Sequence, residues 1–130
     1  MSYLPISEEL ERIGKIIVQC SFEVHKNLGP GLLERIYEIC LKHELTKRNL
    51  KVETQVSIPI TYDTITFEEG LRLDLLVENE IICEIKAVDI VNPIWESQVL
   101  SYLKLSKKRL GYVINFNVKN IGNGIKRYVL

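Results

Sequence analysis

The chain has 130 residues, of which 46% are hydrophobic and 26% are charged. This length and composition are ordinary for a globular protein with a buried core, and we expect a single domain over residues 1–130. Seventeen acidic residues balance 17 basic ones, so the formal net charge is zero. A protein that holds nucleic acid by bulk electrostatics usually has a basic excess, so any such contact must come from local clustering or from a dimer groove.

Neither a targeting segment nor a membrane span is visible in the sequence. Residues 1–5 lack the basic region and apolar run of a secretory signal. No apolar stretch approaches the ~18 residues that cross a bilayer. The cysteines Cys20, Cys40 and Cys83 lie far apart among apolar neighbours without a CxxC pair, which favours free thiols over a zinc site. We therefore expect a cytoplasmic protein without a membrane segment.

Three helices are predicted from apolar spacing and from end signals. Ser7 is a suitable N-cap, and an apolar stripe with helical spacing follows it. Residues 27–31 combine two glycines with a proline and break the chain. Pro93 suits the first position of a helix, and the basic cluster 106–109 suits a helix C-terminus. The first predicted helix begins near Ser7, and the second runs from about Gly31 or Leu32 to Arg48. The third runs from Asn92-Pro93 to Ser106–Arg109.

Five strands are predicted around these helices. The first alternates cleanly, and its even apolar positions from Val52 to Tyr62 lie on one face. Pro59 lies on the polar side and predicts either an edge position or the end of the ladder. The predicted strands are Leu50–Tyr62, Leu71–Val77, Ile81–Val88, Leu110–Phe116 and Ile125–Leu130. The order ααβββαββ predicts an α/β fold in which helices flank a mixed β-sheet.

Charged side chains share one face of two neighbouring strands. In the second predicted strand the odd positions form an apolar face and Asp74 lies on the other side, while Glu84 and Lys86 occupy the corresponding face of the third strand. Adjacent strands lie ~4.8 Å apart, so two carboxylates there can share a hard cation. Such a cation can activate water at a phosphodiester, and the lysine can stabilise the transition state. The competing interpretation is a solvated strand face, with Asp74 paired to Arg72 or Lys86.

Two helices offer further polar groups. On the second helix Glu34 lies at the edge of the apolar face, where a carboxylate is costly unless it is paired or binds a metal. Glu44 poses the same question, and periodicity does not decide which of the two faces the site; a salt bridge is the simpler interpretation for Glu44. On the third helix Gln98 and Tyr102 are spaced i,i+4 and project from one face. They could contact a phosphate, or Tyr102 could be core with Gln98 exposed beside it.

A family resemblance brings these residues together. Residues 31–37, GLLERIY, match the GxxExxY signature of a group of small bacterial and archaeal proteins. The resemblance covers nearly the whole chain, and its other segments are residues 25–31, 73–77, 84–88, 98–103, 115–116 and 124–127. That group is placed in the PD-(D/E)XK nuclease superfamily, so the resemblance implies a restriction-endonuclease-like core of order α-β-β-β-α-β. Leu73 stands where the superfamily's name-giving proline would be.

The resemblance implies a role for each candidate residue. Asp74 resembles the metal-binding aspartate, and Glu84 with Lys86 resembles the (D/E)XK half of the motif. Glu34 resembles the first-helix glutamate of the subset related to recombination exonucleases, and Gln98 with Tyr102 resembles that subset's QxxxY motif. Asp74, Glu84 and the backbone carbonyl of Ile85 would bind Mg²⁺ or Mn²⁺, and Glu34 would reach the ion directly or through water. Lys86 would position the attacking water, while Gln98 and Tyr102 would steady lysine and phosphate.

The function implied is Mg²⁺-dependent hydrolysis of DNA. The alternative is a catalytically silent nuclease-fold domain that serves nucleic-acid binding or assembly. A chain this small has little room to grip a duplex, so we expect a homodimer, on a fold-level analogy alone. His25, beside the Gly-Pro-Gly turn, could contact phosphate, but a histidine in this position more often caps the C-terminus of its helix.

Overall fold

The computed structural model describes residues 4–130. It contains three α-helices, five strands and a 3-10 turn at Ile121–Asn123. The helices are α1 (Glu8–Leu28), α2 (Glu34–Lys47) and α3 (Ile94–Ser106), and the strands are β1 (Val52–Tyr62), β2 (Ile65–Val77), β3 (Ile81–Lys86), β4 (Leu110–Asn115) and β5 (Ile125–Val129). The predicted order ααβββαββ and the predicted mixed sheet flanked by helices are confirmed.

The five strands form one sheet in the order β1-β2-β3-β4-β5. The β3–β4 pair is parallel, with α3 in the connection, and the other pairs are antiparallel. Strand β1 is an edge strand whose register shifts between Ile58 and Ile60, around Pro59, as the proline predicts. Strand β2 pairs with β1 along most of its length, but it pairs with β3 only from Leu75 to Val77.

Apolar residues pack on both faces of the sheet. The first core lies between the sheet and helices α1 and α2 and includes Ile17, Leu41 and Leu75. The second core includes Leu103 of α3 and Ile82 of β3. The central strands β3 and β4 are buried over nearly their whole length because both faces are covered.

The prediction that β1 and β2 each keep one apolar face is wrong. In β2, Leu75 and Val77 belong to the first core, whereas Leu71 and Leu73 belong to the second. Strand β1 changes in the same way: its apolar contacts with the first core come from Val52, and those with the second come from Val56, Ile58 and Ile60. The change coincides with Gln55, whose φ of 51° is left-handed and which lies opposite Asp74 in the register.

The helix starts differ in how closely they follow the sequence. Ser7 caps α1, and its side chain accepts a hydrogen bond from the Leu10 N–H at 3.2 Å. Helix α2 begins at Glu34 rather than at Gly31 or Leu32, because the preceding turn is fixed in a non-helical shape. Gly31 has a φ of 95°, and the buried Tyr37 hydroxyl donates to the Gly29 carbonyl (2.6 Å) and accepts from the Leu32 N–H (3.1 Å).

The three cysteines are free thiols, as expected from their spacing; Cys20 and Cys83 are buried and Cys40 is partly buried. Among residues 4–130, no helix combines the length and the apolar character that a membrane crossing requires.

Candidate active site

The β2–β3 ladder stops at the Leu75–Cys83 pair, and two carboxylates continue it with side-chain hydrogen bonds. The Ile85 N–H donates to Asp74 Oδ2 at 2.8 Å. The Asp74 N–H donates in turn to Glu84 Oε2 at 2.9 Å. We call Asp74, Glu84 and Ile85 the strand fork, because β2 separates from β3 there. The two acids on neighbouring strands are therefore brought together, as the sequence predicted.

The backbone of Ile85 faces the same gap. The N–H and C=O of one strand residue point to the same side, so the Ile85 carbonyl is directed towards β2, as its N–H is. The next carbonyl, that of Lys86, faces the other way and accepts from the Phe116 N–H at 2.9 Å. The strand fork thus presents two carboxylates and one backbone carbonyl.

The carboxylates of the strand fork have no basic partner among residues 4–130. Glu84 is only 4% exposed, and burial, followed by the neighbouring charge of Asp74, raises its pKa to about 8. None of the ion pairs in the described part of the chain includes Asp74, Glu84 or Lys86. The interpretation of a solvated face with a paired Asp74 is therefore wrong, since the acids are partly or fully buried and mutually repulsive.

Lys86 is half-buried and lies beside an aromatic ring. Its Nζ is 5.4 Å from the ring centroid of Trp95, within the range of a cation–π interaction. Its positive charge also acts on two acids, because it lowers the pKa of Glu34 and of Glu84 against the stronger effects that raise them. The lysine therefore belongs electrostatically to the strand fork.

Glu34 is exposed at the first position of α2 and lies near enough to the strand fork for the charges of Asp74 and Lys86 to act on it. Partial burial, followed by the charge of Asp74, raises its pKa. Within residues 4–130, no three Asp, Glu, His or Cys side chains come together closely enough to hold a metal ion, so Glu34 does not complete a ready-made ligand set. Glu44 forms an ion pair with Lys47 at 3.0 Å, as expected, so of the two α2 acids that the sequence left open Glu34 is the one near the site.

Gln98 and Tyr102 are joined on α3, where Gln98 Nε2 donates to the Tyr102 hydroxyl at 3.1 Å. The Tyr102 side chain packs partly against the second core. Burial and then the charge of Glu84 raise the pKa of its hydroxyl, so the hydroxyl lies within electrostatic reach of the strand fork. Both residues are half-buried, which replaces the interpretation of a core tyrosine with an exposed glutamine beside it.

Comparison with known families decides the wider relationship. A family model of the PD-(D/E)XK nuclease superfamily matches residues 11–128. The chain belongs to the PD-(D/E)XK nuclease superfamily. Its mixed sheet and flanking helices are consistent with the fold of that superfamily, whose members are generally nucleases that use divalent metals. No curated protein and no solved structure gave a significant match.

The groups at the strand fork suit the divalent metals of PD-(D/E)XK nucleases. Carboxylate and carbonyl oxygens are hard donors, the class preferred by Mg²⁺ and Mn²⁺. Mg²⁺ commonly keeps several waters and takes one or two protein carboxylates, so a set of two acids and one carbonyl is sufficient. Burial, and then the charge of Asp74, raises the pKa of Glu84 more than the nearby Lys86 lowers it, so a bound cation would favour the charged form of this acid.

Sequence reasoning missed three residues beside this PD-(D/E)XK site. Gln55 donates to Glu38 Oε1 at 2.7 Å and lies 3.5 Å from Asp74 Oδ1, and Trp95 contacts Lys86. The pairing of β1 with β2 would have placed Gln55 opposite Asp74, given the correct register. No sequence signal indicated the contact between Trp95 and the lysine.

The expected role of His25 is wrong. Its Nε2 lies 2.7 Å from the Val118 carbonyl, so the ring ties α1 to the loop after β4. It therefore does not cap its own helix, whose last turn is instead closed by the Gly29 N–H donating to the His25 carbonyl.

Proposed function

We propose that this PD-(D/E)XK protein is a Mg²⁺- or Mn²⁺-dependent nuclease that hydrolyses phosphodiester bonds of DNA, and that it belongs to the GxxExxY group. The observation that carries the proposal is the strand fork, where Asp74 and Glu84 meet without a basic partner while Lys86 stands beside them. A purely structural pair of acids would be expected to hold a neutralising partner at this depth.

The metal would be held by Asp74, Glu84 and the Ile85 carbonyl. Glu34 would act through a bound water, since it lies near these groups without completing a three-ligand set. When bound, the ion would lower the pKa of a water and neutralise charge on the phosphodiester. Within the described residues Glu38 is a further acid near this position, and Gln55 donates a hydrogen bond to it.

The remaining side chains would orient the attacking water and stabilise negative charge on the phosphate. The Lys86 ammonium would position the attacking water and offset negative charge on the phosphate, in a half-buried place where such charges act strongly. The Tyr102 hydroxyl can donate a hydrogen bond because its pKa is raised and it stays protonated. Gln98 fixes that hydroxyl, so the pair would hold phosphate or lysine in place.

A second candidate is a catalytically silent domain that binds nucleic acid or assembles with a partner. The zero net charge favours the assembly role, because a protein that holds nucleic acid by itself usually has a basic excess. We propose that the active form is a homodimer, whose two copies together hold the substrate that one neutral chain binds weakly. We also propose that it acts in the cytoplasm and that residues 1–130 form one domain. DNA rather than RNA as substrate is part of the same proposal.

Cleavage assays with matched variants test the function. Purified protein is incubated with linear, nicked and branched DNA and with RNA, in Mg²⁺ or Mn²⁺. We expect Asp74→Ala and Lys86→Ala each to lower the cleavage rate by about 100-fold or more, the scale of losing one electrostatic group at a transition state. Glu68→Gln is the matched control, since this carboxylate lies on the same strand but is exposed and away from the fork.

Metal binding by calorimetry accompanies the assay. The absence of both cleavage and metal binding would reject the nuclease and support the silent domain. Cleavage that survives both substitutions would place the activity outside the strand fork. Light scattering on the same samples tests the homodimer, which a purely monomeric active protein would contradict.

A further inference from the structure

A cavity of about 190 Å³ opens between the start of α3 and strands β4 and β5. Much of its wall is apolar or aromatic, and the residues of this kind are Val91, Pro93, Trp95, Val113, Val118 and Tyr128. The exposed side chains of Glu96 and Lys126 add one acid and one base to the lining. A cavity of about 150 Å³ can take up a benzene molecule, so this one has room for an aromatic ring.

Trp95 connects this cavity to the catalytic lysine. The same indole that lines the cavity lies 5.4 Å, centroid to Nζ, from Lys86. Trp95 thus borders both the cavity and Lys86. A base packed against this ring would have its sugar and phosphate free to extend towards the lysine.

One wall of the cavity is held in place by Asn115, which is buried. Its side-chain amide donates to the Val88 carbonyl at 3.1 Å, and its side-chain oxygen accepts from the N–H groups of Val88 and Asn117, both at 3.2 Å. These bonds fix the segment after β3, which continues into the lining residues Val91 and Pro93. Hydrogen bonds from β4 thus anchor the start of the segment that leads into the cavity wall.

We propose that this cavity binds one unpaired nucleobase of the substrate strand, packed against Trp95. The inference rests on the proposed nuclease function and specifies its substrate: a single strand, a strand end or a flap, rather than a continuous duplex. With zero net charge the chain has little general attraction for a phosphate backbone. Stacking of bases on aromatic side chains supplies affinity that does not depend on charge. The Glu96 carboxylate can also accept from an exocyclic amine of a base.

The only tryptophan of the chain is Trp95, so its fluorescence reports directly on the cavity. The full-length protein is titrated in EDTA, where the metal is removed, with a short single strand of thymidine nucleotides. The comparison ligands are an abasic strand of equal length, which keeps every phosphate, and the same thymidine strand in a blunt duplex. We expect the single strand to quench Trp95 and to bind at least about tenfold more tightly than either comparison ligand, equivalent to about 1.4 kcal/mol.

A cavity-filling variant localises the effect. Val113→Phe places a ring inside the cavity, and we expect it to abolish the preference for the base-bearing strand. Val129→Phe is the matched control, because Val129 lies on β5 but outside the cavity lining. Thermal unfolding shows whether each variant is folded. If Val113→Phe does not fold, the wild-type comparison of base-bearing with abasic strand decides the proposal by itself.

Equal affinity for all three ligands, or a Trp95 emission that the single strand leaves unchanged, would overturn the nucleobase site even if the protein cleaves DNA. A preserved tenfold preference in a protein that neither cleaves DNA nor binds metal would support the site and reject only the nuclease function. The two proposals therefore fail by different measurements.

Discussion

The two ends of β2 differ in strand pairing and in burial. From Leu75 to Val77 the strand pairs with β1 on one side and β3 on the other, and every residue is buried. From Ile65 to Gly70 it has no β3 partner and every residue is exposed. Asp74 lies at the boundary. The difference shows that the site forms where a ladder ends, because backbone N–H groups released there become available to carboxylates.

At this boundary the polar groups have hydrogen-bond partners, but the electrostatic environment is unfavourable for a charged Glu84. In the described part of the chain, no buried side-chain nitrogen or oxygen lacks a hydrogen-bond partner. Even so, burial and the charge of Asp74 raise the energy of the charged form of Glu84. The closed half of β2 should therefore govern stability, and the fork should govern how stability responds to pH.

The largest effect is expected in the closed half. Leu75 is fully buried in the first core, so Leu75→Ala should lower the free energy of unfolding by about 3–5 kcal/mol through lost burial and a new cavity. Leu105→Ala is the matched control, since Leu105 is 44% exposed and should lose under ~1 kcal/mol. Urea unfolding measures both. Equal losses would contradict the assignment of the closed half as the stabilising region.

An intermediate effect is expected at the fork. The pKa of Glu84 is raised from 4.5 to about 8 in the folded protein, so the folded state holds a proton that the unfolded state releases. Stability should therefore fall as pH rises from about 4.5 to 8 and then level off. Glu84→Gln, measured in EDTA, should remove roughly 2–4 kcal/mol of this fall and be the more stable protein above pH 8.

Urea unfolding between about pH 5 and pH 9 checks the slope. Glu68→Gln should keep the wild-type slope, because this carboxylate is exposed. A Glu84→Gln protein whose stability still falls as steeply would assign the effect to Glu34 or Glu38, whose pKa values are also raised.

The smallest effect on stability is expected at Gln55, which lies opposite Asp74 at this boundary. Gln55 has a φ of 51°, a conformation that costs a side chain with a Cβ about 1–2 kcal/mol. Gln55→Gly should therefore be more stable than Gln55→Ala by about 1 kcal/mol, and both variants lose the same hydrogen bond to Glu38. At Thr54, which is not among the positive-φ residues, the order should reverse, with alanine the better residue in a regular strand. Thermal unfolding of the four variants measures this, and the same order at both positions would contradict a left-handed backbone at Gln55.

Much of the fold was predictable because the spacing of apolar residues indicates which face of each helix or strand is buried. The element order, the Ser7 cap, the edge position around Pro59 and the pairing of Glu44 all follow from local patterns. The neighbouring acids Asp74 and Glu84 followed from alternation in the two strands near the fork.

The remaining features depend on backbone geometry or distant contacts. Alternation counts residues, but it does not detect one left-handed residue such as Gln55, after which a strand changes the core it faces. The start of β2 was not predicted because residues exposed on both sides carry no apolar signal. The partner of His25 lies 93 positions away, beyond any local pattern.

Gly31, Glu34 and Tyr37, the three residues that define the GxxExxY spacing, differ in how far the fold restricts substitution. Gly31 is restricted by backbone shape, since its φ of 95° disfavours other residues. Tyr37 is restricted by fit, because its ring stacks on Phe116 at 4.6 Å while its hydroxyl closes the turn. Glu34 is exposed and restricted by neither. A saturation library at these positions, selected only for folding, should therefore retain glycine and tyrosine and randomise the glutamate. If the proposed nuclease function holds, selection for cleavage should recover the glutamate.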